Sequence, residues 1–376
     1  MKAIAIFPKE KKVKMIDHPE PKIESPTQVK LKMIEVGICG TDHEICSFRY
    51  GEPPEGWDYL ILGHESFGKV IEVGSAVTDF AVGDFVVTMV RRPCHHKMCV
   101  ACQAERQDFC YTGDFKERGI NKLHGFMSEY VVDDQKYMLK VPAELKSIGV
   151  LTEPLTIAEK AMREVYHIQK RLPWGCIDTA SDTPAYLINH NALVIGAGPV
   201  GLLATLVIRA QKFNTFVYSL EPNTDVRAKI AVAMGATYLS AADFDMHQIS
   251  EKVSGNLDVI FDGSGASTLA FQVSNILGYN GIFVWTGIPG RAGLTDINAG
   301  TFMQHLVLKN QNIVGSVNAG HEDFQSAIVD LGLLFKSSPT LASTLITRYQ
   351  LNEFENLLLK PPMRGTFKSV LTFSSP

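Results

Sequence analysis

The chain has 376 residues, of which 45% are hydrophobic and 20% charged, with a formal net charge of -4. This composition is typical of a globular protein with about two domains. Lysine and arginine are scattered, so no basic surface for a nucleic acid is expected. The longest uncharged run, 192–208, is shorter than the roughly 20 residues that cross a bilayer and contains several glycines, so no membrane span is expected.

The N-terminal segment and the cysteines indicate where the protein resides. Residues 1–7 form too short an apolar run for a signal peptide, and four lysines follow closely, so this segment is predicted to be a first strand. Seven cysteines, an odd number, favour a reducing compartment and metal ligands over disulfides. We therefore expect a cytoplasmic protein.

Two patterns divide the chain. Up to about residue 132, short β-like runs are interrupted by Gly and Pro, which predicts a small, mostly β domain. A helix with one apolar face is predicted from Glu153 to about Leu172, and the polar stretch 175–191 reads as a linker. Strand and helix patterns then alternate, which predicts parallel βαβ units. The strands are predicted at 192–196, 215–220, 257–261, 281–286 and 312–317, and the helices at 200–211, 226–234 and 322–335. The tail at 367–373 is predicted to rejoin the β domain.

A glycine-rich turn follows the first of these strands. In Gly196-Ala197-Gly198-Pro199-Val200-Gly201, the first glycine permits a tight turn, and the second lets a pyrophosphate approach the backbone. The third glycine lets the helix pack closely on the strand, and the helix N-terminus attracts the anion. A strand before it, a helix after it and an acidic residue twenty positions beyond Gly201 favour a dinucleotide site over a simple packing turn.

That acidic residue, Glu221, is predicted to bond the adenosine ribose hydroxyls and to repel a 2′-phosphate, which favours NAD over NADP. Arg227 lies six residues further and is the residue that would reach a 2′-phosphate. Later turns at strand ends are also predicted to contact the cofactor, through Gly263, Gly265, Thr286 and Gly287.

A second constellation has the residue types of a catalytic zinc site. His64 and Glu65 lie between glycines, Cys39 occurs in Gly37-Ile38-Cys39-Gly40, and Glu153 precedes the predicted helix. Thiolate, imidazole and carboxylate are ligands that zinc accepts, and a site with three such ligands leaves a position for water or a substrate oxygen. We therefore predict a zinc-assisted hydride transfer to a nicotinamide.

Two neighbours of these ligands have predicted supporting roles. Thr41 follows Cys39 by two residues and is predicted to pass the substrate proton outward through its hydroxyl; the alternative is a turn cap. Asp42 is predicted to orient His64.

Four clustered cysteines, Cys94, Cys99, Cys102 and Cys110, are predicted to bind a second zinc ion. A site of four sulfurs has no open position and is structural. His95 or His96 could replace one cysteine, and a redox role for the Cys99 and Cys102 pair is the competing interpretation.

These motifs resemble the zinc-containing medium-chain alcohol dehydrogenases over nearly the whole chain. Gly63-His64-Glu65 is followed by Gly68, Gly74 and Val77 at that family's spacing. Within the family the chain is most similar to archaeal-type glucose dehydrogenases. The shared stretches are 37–42, 91–92, 108–113, 125–127, 153–155 and 317–318.

The resemblance implies an α/β fold with two domains. A GroES-like, mostly β catalytic domain would span 1–188, with a structural zinc lobe at about 91–112 and completion by 319–376. A Rossmann domain with a doubly wound parallel sheet would span 189–318. It also implies one catalytic and one structural zinc ion and a homo-oligomer, either a dimer or a tetramer. Val317 and Asn318 would contact the cofactor, and Thr41, Glu117, Glu153 and Asn318 would contact a sugar.

The chain departs from the glucose enzymes at three places. Cys94 and Cys99 are separated by four residues instead of two, so their loop must bulge. Glu221-Pro222-Asn223 stands where a pair of arginines often holds a 2′-phosphate. Val90 and Ile157 replace an Asn and an Asp that would contact glucose. Because a buried hydroxyl without a partner costs about 1 to 3 kcal/mol, these replacements weaken the expectation for glucose itself.

Three alternatives remain from the sequence. The enzyme could act on simple alcohols, or the scaffold could be a zinc and nucleotide-binding regulator without catalysis. A zinc-free reductase of the quinone or enoyl type is the third, although such enzymes lack the cysteine lobe and the His-Glu pair. A sugar or polyol dehydrogenase is the favoured hypothesis.

Overall fold

The fold is described from a computed structural model that covers residues 1–173, 190–290, 294–360 and 366–374. The chain divides into two compact units. The first unit comprises Met1–Thr156 and Asn318–Pro376, and the second comprises Ile157–Val317. The predicted linker at 175–191 and the seventh cysteine, Cys176, fall almost wholly outside the described residues, apart from His190 and Asn191.

Strands dominate the first unit and alternate with helices in the second. Within the described ranges the strands are β1 Lys2–Phe7, β2 Lys12–Asp17, β3 Gln28–Gly37, β4 Leu60–Ile61, β5 Glu65–Val73, β6 Phe85–Thr88, β7 Arg91–Arg92, β8 Lys116–Arg118, β9 Lys122–Leu123, β10 Tyr130–Asp134, β11 Met138–Val141, β12 Asn191–Ile195, β13 Asn214–Ser219, β14 Thr237–Ser240, β15 Leu257–Asp262, β16 Ile282–Trp285, β17 Asn312–Gly315, β18 Ile346–Gln350 and β19 Lys368–Thr372. The helices are α1 Gly40–Cys46, α2 Val100–Gln103, α3 Thr152–Gln169, α4 Pro199–Ala210, α5 Val226–Ala233, α6 Met246–Val253, α7 Ser267–Ser274, α8 Ala299–Leu308, α9 His321–Ser337, α10 Pro339–Thr344 and α11 Phe354–Leu358.

The first unit is built on a seven-stranded sheet in the order β11-β6-β5-β3-β19-β18, with β10 also paired to β3. Smaller sheets, β2-β1-β4 and β7-β8-β9, complete its described part. The side chains of β1, β3 and β5 that face inward form an apolar core including Ile4, Leu31, Met33 and Val70. This confirms the predicted GroES-like, mostly β architecture.

The C-terminal tail returns to this sheet, as predicted. Strand β19 runs antiparallel to β3, with Val370 opposite Gly37 and Thr372 opposite Glu35. Its alternate residues Lys368 and Val370 are both buried. The pairing therefore brings a lysine from the end of the sequence to the strand that precedes Cys39.

The second unit is a parallel sheet in the order β14-β13-β12-β15-β16-β17. Strand β12 is central, and the chain moves first to one side and then to the other, which is the doubly wound order of dinucleotide-binding domains. Ligands of such sheets bind where the order reverses, at the carboxyl ends of the strands. Here that position lies between β12 and β15, which end at Ile195 and Asp262. The predicted Rossmann fold is confirmed.

Helix α3 follows the predicted apolar period, since Ala158, Ala161, Met162 and Val165 are fully buried. The two compact units divide within this helix, at residues 156 and 157, and again at 317 and 318. The first predicted boundary, at 188 and 189, falls outside the described residues and stays a prediction. None of the helices in the described ranges has the length and apolarity needed to cross a bilayer.

Candidate active site

The first candidate ligand, Cys39, lies at the junction between β3 and α1. It is the N-cap of α1 in an extended conformation, and the Asp42 carboxylate accepts a hydrogen bond from its backbone N–H at 2.8 Å. A helix of this length needs its free N–H groups satisfied, and a carboxylate in the first turn also suits the helix dipole. The local sequence therefore fixes the backbone that carries the thiol.

Asp42 also lies beside His64, the residue that it is predicted to orient. It is fully buried, and its Oδ1 lies 3.5 Å from Nδ1 of His64. A carboxylate at one imidazole nitrogen orients the ring and leaves the other nitrogen for a metal. His64 follows Gly63, whose φ is +86° and whose Cβ would lie 2.6 Å from Met127. Only glycine fits this turn, which places His64 immediately before β5.

Glu65 is held by Lys368, which the sequence analysis missed. The Nζ of Lys368 lies 2.5 Å from a Glu65 oxygen, and both side chains are buried. Burial alone would lower the lysine pKa, but the charge of Glu65 and of nearby Cys39 raises it, so Lys368 stays protonated. Gly37 makes room for this pair, because a Cβ there would lie 1.9 Å from Oε2 of Glu65. The alternation of Lys368 with buried Val370 was the available signal.

The structure brings Cys39, His64 and Glu65 together, with one ligand atom from each within 4.8 Å of the others. Glu153, on the first turn of α3, is not part of that group. It is nevertheless buried, and burial raises the pKa of its carboxyl to about 7, with His64 opposing and Glu65 reinforcing the shift. A sulfur, a nitrogen and buried carboxylates form a donor set that suits zinc. The residues fit a divalent cation, and ligation by Glu153 stays a prediction.

Thr41 has a neighbour that the sequence did not reveal. Burial raises the pKa of the nearby Tyr50 phenol, and an interaction with the Thr41 side chain opposes that shift. Tyr50 is 43% exposed, so its phenol is accessible to solvent. No pattern in the residues after α1 marks Tyr50, because its proximity to Thr41 depends on the conformation of the loop.

The two predicted sugar contacts outside this cluster also meet. The Asn318 side-chain amide donates to Oε1 of Glu117 at 2.9 Å, although 201 residues separate them in the chain. Asn318 has a φ of +60° and its Oδ1 accepts from the N–H of Ala319 at 2.8 Å. The sequence predicted a shared role for the pair but not their contact.

The cysteine lobe assembles despite its longer loop. Ligand atoms of Cys94, Cys99, Cys102 and Cys110 lie within 4.8 Å of one another. The sulfurs of Cys99 and Cys110 are 3.8 Å apart, close to the separation of about 3.8 Å between two sulfurs bound to one tetrahedral zinc at 2.3 Å. The extra residues, including His95 and His96, are exposed, and His96 pairs with Asp114 at 3.0 Å. The loop therefore bulges outward, and neither histidine joins the sulfur cluster.

In the second unit, the glycine-rich turn has the predicted geometry. Gly196 has a φ of +92°, and a Cβ on Gly201 would lie 2.0 Å from the Gly196 carbonyl oxygen. A Cβ on Gly198 would meet nothing within 4 Å, which leaves the space that a pyrophosphate needs. Pro199 and Val200 open α4, whose N-terminus faces this turn.

Further glycines lie beside that turn. A Cβ on Gly263 would lie 3.0 Å from the backbone nitrogen of Gly201, and one on Gly287 would lie 2.1 Å from that of Gly265. The Thr286 hydroxyl donates to the Asp262 carbonyl at 2.8 Å. Val317 is exposed, and its carbonyl accepts from Lys160 at 2.9 Å. The strand ends after β12, β15 and β16 thus meet closely, and their cofactor contacts stay predictions.

Glu221 lies just after β13 and is held from two sides. Its Oε1 is 2.6 Å from Nη1 of Arg227, and its Oε2 accepts from the Ser219 hydroxyl. Partial burial would raise its pKa, but these bonds lower it overall, so the carboxylate stays charged. Arg227, the residue that would otherwise reach a 2′-phosphate, is therefore already paired with Glu221.

Comparison with known proteins agrees with both units. A family model described as glucose dehydrogenase C-terminus matches residues 146–373, and one described as alcohol dehydrogenase GroES-like domain matches 25–143. The chain is 38% identical to glucose 1-dehydrogenase 2 of Vulcanisaeta moutnovskia over 333 residues, covering 88% of this chain and 87% of the relative. It is 35% identical to glucose 1-dehydrogenase of Methanocella arvoryzae over 351 residues, covering 93% of each.

A solved structure is also similar over its full length. Haloferax mediterranei glucose dehydrogenase, in complex with NADP, Zn and gluconolactone, has a TM-score of 0.86 and 30% identity, covering 100% of both chains. Its fold therefore accommodates both of the units described above. The chain belongs to the GroES-like alcohol dehydrogenase family, in the group with a glucose dehydrogenase C-terminal domain.

Proposed function

We propose that the protein is a zinc-dependent dehydrogenase that oxidises a sugar or polyol hydroxyl with NAD or NADP, as glucose 1-dehydrogenases do. The convergence of Cys39, His64 and Glu65 in the GroES-like unit is the observation that supports it most. The relatives named glucose 1-dehydrogenase, and the Haloferax complex with NADP, Zn and gluconolactone, support the same substrate class.

Different residues of the chain would bind the metal, orient its ligand and transfer the proton. When bound, zinc would polarise the substrate hydroxyl and the nicotinamide would accept the hydride. Cys39, His64 and Glu153 would hold the metal, with Glu65 beside them and Asp42 fixing the imidazole. We expect a proton held at the Thr41 hydroxyl to pass outward by way of Tyr50, whose phenol is partly exposed and interacts with the Thr41 side chain.

The polar groups of the first unit favour a polyhydroxylated substrate. Arg91 and Asn318 both bond Oε1 of Glu117, so Oε2 of that carboxylate would accept from a substrate hydroxyl, a contact that an apolar alcohol cannot make. The alternative, a dehydrogenase of simple alcohols, is favoured by Val90, which is buried where the glucose enzymes are expected to place an Asn.

A substrate panel tests this proposal. We expect at least one aldose or polyol to have a higher kcat/KM than any long-chain or aromatic alcohol, measured as coenzyme reduction. Val90→Asn is expected to raise kcat/KM for glucose by about fivefold, since one added hydrogen bond contributes on the order of 1 kcal/mol. The same variant should leave a simple alcohol unaffected. Aromatic alcohols outperforming every sugar would refute the proposed substrate class.

We further expect two zinc ions per chain, one in each cluster. Metal analysis of purified protein should return about two equivalents, and Cys102→Ser should return about one. Because a structural zinc contributes folding free energy, we expect Cys102→Ser to lower Tm by about 10 °C or more. Thermal unfolding followed by circular dichroism measures this shift.

His95→Ala is the matched control for that variant. His95 lies on the exposed bulge of the same loop and outside the sulfur cluster. It should keep two zinc ions and the Tm of the natural protein. If His95→Ala loses a zinc ion and Cys102→Ser does not, the ligand assignment in the lobe is wrong.

We also propose that the protein forms a homo-oligomer through the edge of the second unit's sheet. Strand β17 ends the described sheet, and α8, which precedes it, exposes Met303, Val307 and Leu308. A second copy of the chain would pair the open edge of β17 and cover the apolar side chains of α8, so neither would stay exposed to water.

Light scattering after size exclusion tests the oligomer. The natural protein should elute as a dimer or tetramer, and Val307→Asp should shift the mass toward one chain. Val232→Asp changes an exposed valine on α5 instead and should not alter the mass. A monomer at micromolar concentration would rule out this interface.

A further inference from the structure

Arg91 and Glu117 form a buried pair at the centre of the small β7-β8-β9 sheet. Strands β7 and β8 are antiparallel, and these residues lie directly opposite each other. The Nε and Nη2 atoms of Arg91 are each 3.0 Å from Oε1 of Glu117. Because the two side chains are only 7% and 12% exposed, solvent screens this ion pair weakly.

The remaining side of the guanidinium is fixed by the cysteine lobe. Nη1 donates to the carbonyl oxygen of Asp108 at 3.1 Å and approaches that of Gln107 at 3.5 Å. The ring of Phe115 lies 3.7 Å from the guanidinium carbon. The turn that supplies these carbonyls leads directly to Cys110, so the lobe's backbone sets the position of Arg91.

Glu117 in turn presents one oxygen for other partners. Its Oε1 accepts from Arg91 and from the Asn318 amide at 2.9 Å. Within the described residues, every hydrogen bond to this carboxylate falls on Oε1. Because an ionised carboxylate has two acceptor oxygens, Oε2 keeps its capacity to accept from a substrate hydroxyl.

We propose that Arg91 is the positioning residue for sugar binding, holding the Glu117 carboxylate against Asn318 and connecting its placement to the cysteine lobe. This inference rests on the proposed function, because Glu117 is a sugar contact only in a sugar dehydrogenase. A lysine at position 91 would keep the charge, but it lacks the planar fork that reaches Glu117 and the lobe carbonyls together.

The test compares two identical substitutions at adjacent buried arginines. Arg91→Lys is expected to raise KM for the best sugar by about tenfold, with kcat changed by less than about threefold, because an interaction that binds the ground state is lost. KM for the coenzyme should not change. Arg92→Lys is the control, since Arg92 pairs with Asp133, packs 4.0 Å from the ring of Tyr137 and makes no bond to Glu117.

A double variant identifies Glu117 as the mediator. In a Glu117→Gln background, adding Arg91→Lys should change the sugar KM by less than about twofold, because coupled residues are not additive. If Arg91→Lys is insoluble, Phe115→Leu keeps every hydrogen bond of Arg91 and removes only the ring beside it. This variant should raise the sugar KM by about threefold.

Each outcome decides the matter. Natural protein that oxidises no sugar refutes the proposed function and this inference with it. Natural protein that oxidises sugars, with the sugar KM unchanged in Arg91→Lys and in Phe115→Leu, refutes only the positioning role. An equal KM increase in Arg92→Lys would show a general loss of structure and would also overturn it.

Discussion

Cys39→Ser is expected to lower kcat/KM by at least about a thousandfold, because a serine hydroxyl is a poor zinc ligand and metal polarisation contributes several kcal/mol. The fold should survive. Cys39 is the extended N-cap residue of α1, serine is a preferred residue there, and the bond to Asp42 comes from the backbone N–H. Steady-state kinetics and zinc analysis measure the loss of activity and of metal, and thermal unfolding measures whether the fold is retained.

Cys46→Ser is the matched control, because it makes the same chemical change at the last residue of the same helix. Cys46 is buried, and burial, reinforced by the charge of Asp42, raises the pKa of its thiol to about 12. Cys46 also lies outside the group of ligand atoms formed by Cys39, His64 and Glu65. This variant should keep two zinc ions and nearly full activity. Activity retained in Cys39→Ser with one zinc ion lost would show that the catalytic metal site has been misplaced.

Local chemistry made part of this molecule predictable from the sequence. The turn at Gly196 and the strands around it follow from hydrophobic period and glycine spacing, and the structure ends each of these strands within about two residues of its predicted end. The proximity of Asp42 to His64 was also anticipated, and the orienting role stays a prediction. Asp42 is close in sequence to Cys39, and Gly63 directly precedes His64, so residue types next to the ligands restrict the conformations of both loops.

Contacts between distant strands were not predictable in the same way. Lys368 reaches Glu65 only because β19 pairs with β3, and Arg91 meets Glu117 only through the β7 and β8 register. Either register could shift by two residues without changing the pattern of buried positions. Tyr50 was missed for a related reason, since a loop conformation and not a periodicity brings it to Thr41. Charged partners in sheets thus need the topology before they can be named.

Glu221→Ala is expected to shift the ratio of kcat/KM values for NADP and NAD toward NADP by about a hundredfold. In the natural protein the charged Glu221 would accept from the ribose hydroxyls and would repel a 2′-phosphate, so NAD should be the better coenzyme. Its removal also frees Arg227, now 2.6 Å away, to meet the phosphate. Two charges about 4 Å apart near a protein surface interact by about 4 kcal/mol. This energy exceeds the free-energy difference that a hundredfold shift in the kcat/KM ratio requires.

The double variant Glu221→Ala with Arg227→Met separates the two effects. If repulsion by Glu221 were the whole cause, the double variant would favour NADP as strongly as the single one. We expect it to lose most of the gain, because Arg227 then cannot contact the phosphate, while NAD use stays as low as in Glu221→Ala. Kinetics with both coenzymes at a saturating sugar concentration distinguish these results. A natural protein that already prefers NADP would mean that Arg227 leaves Glu221 when the coenzyme binds, and that the ion pair does not exclude the phosphate.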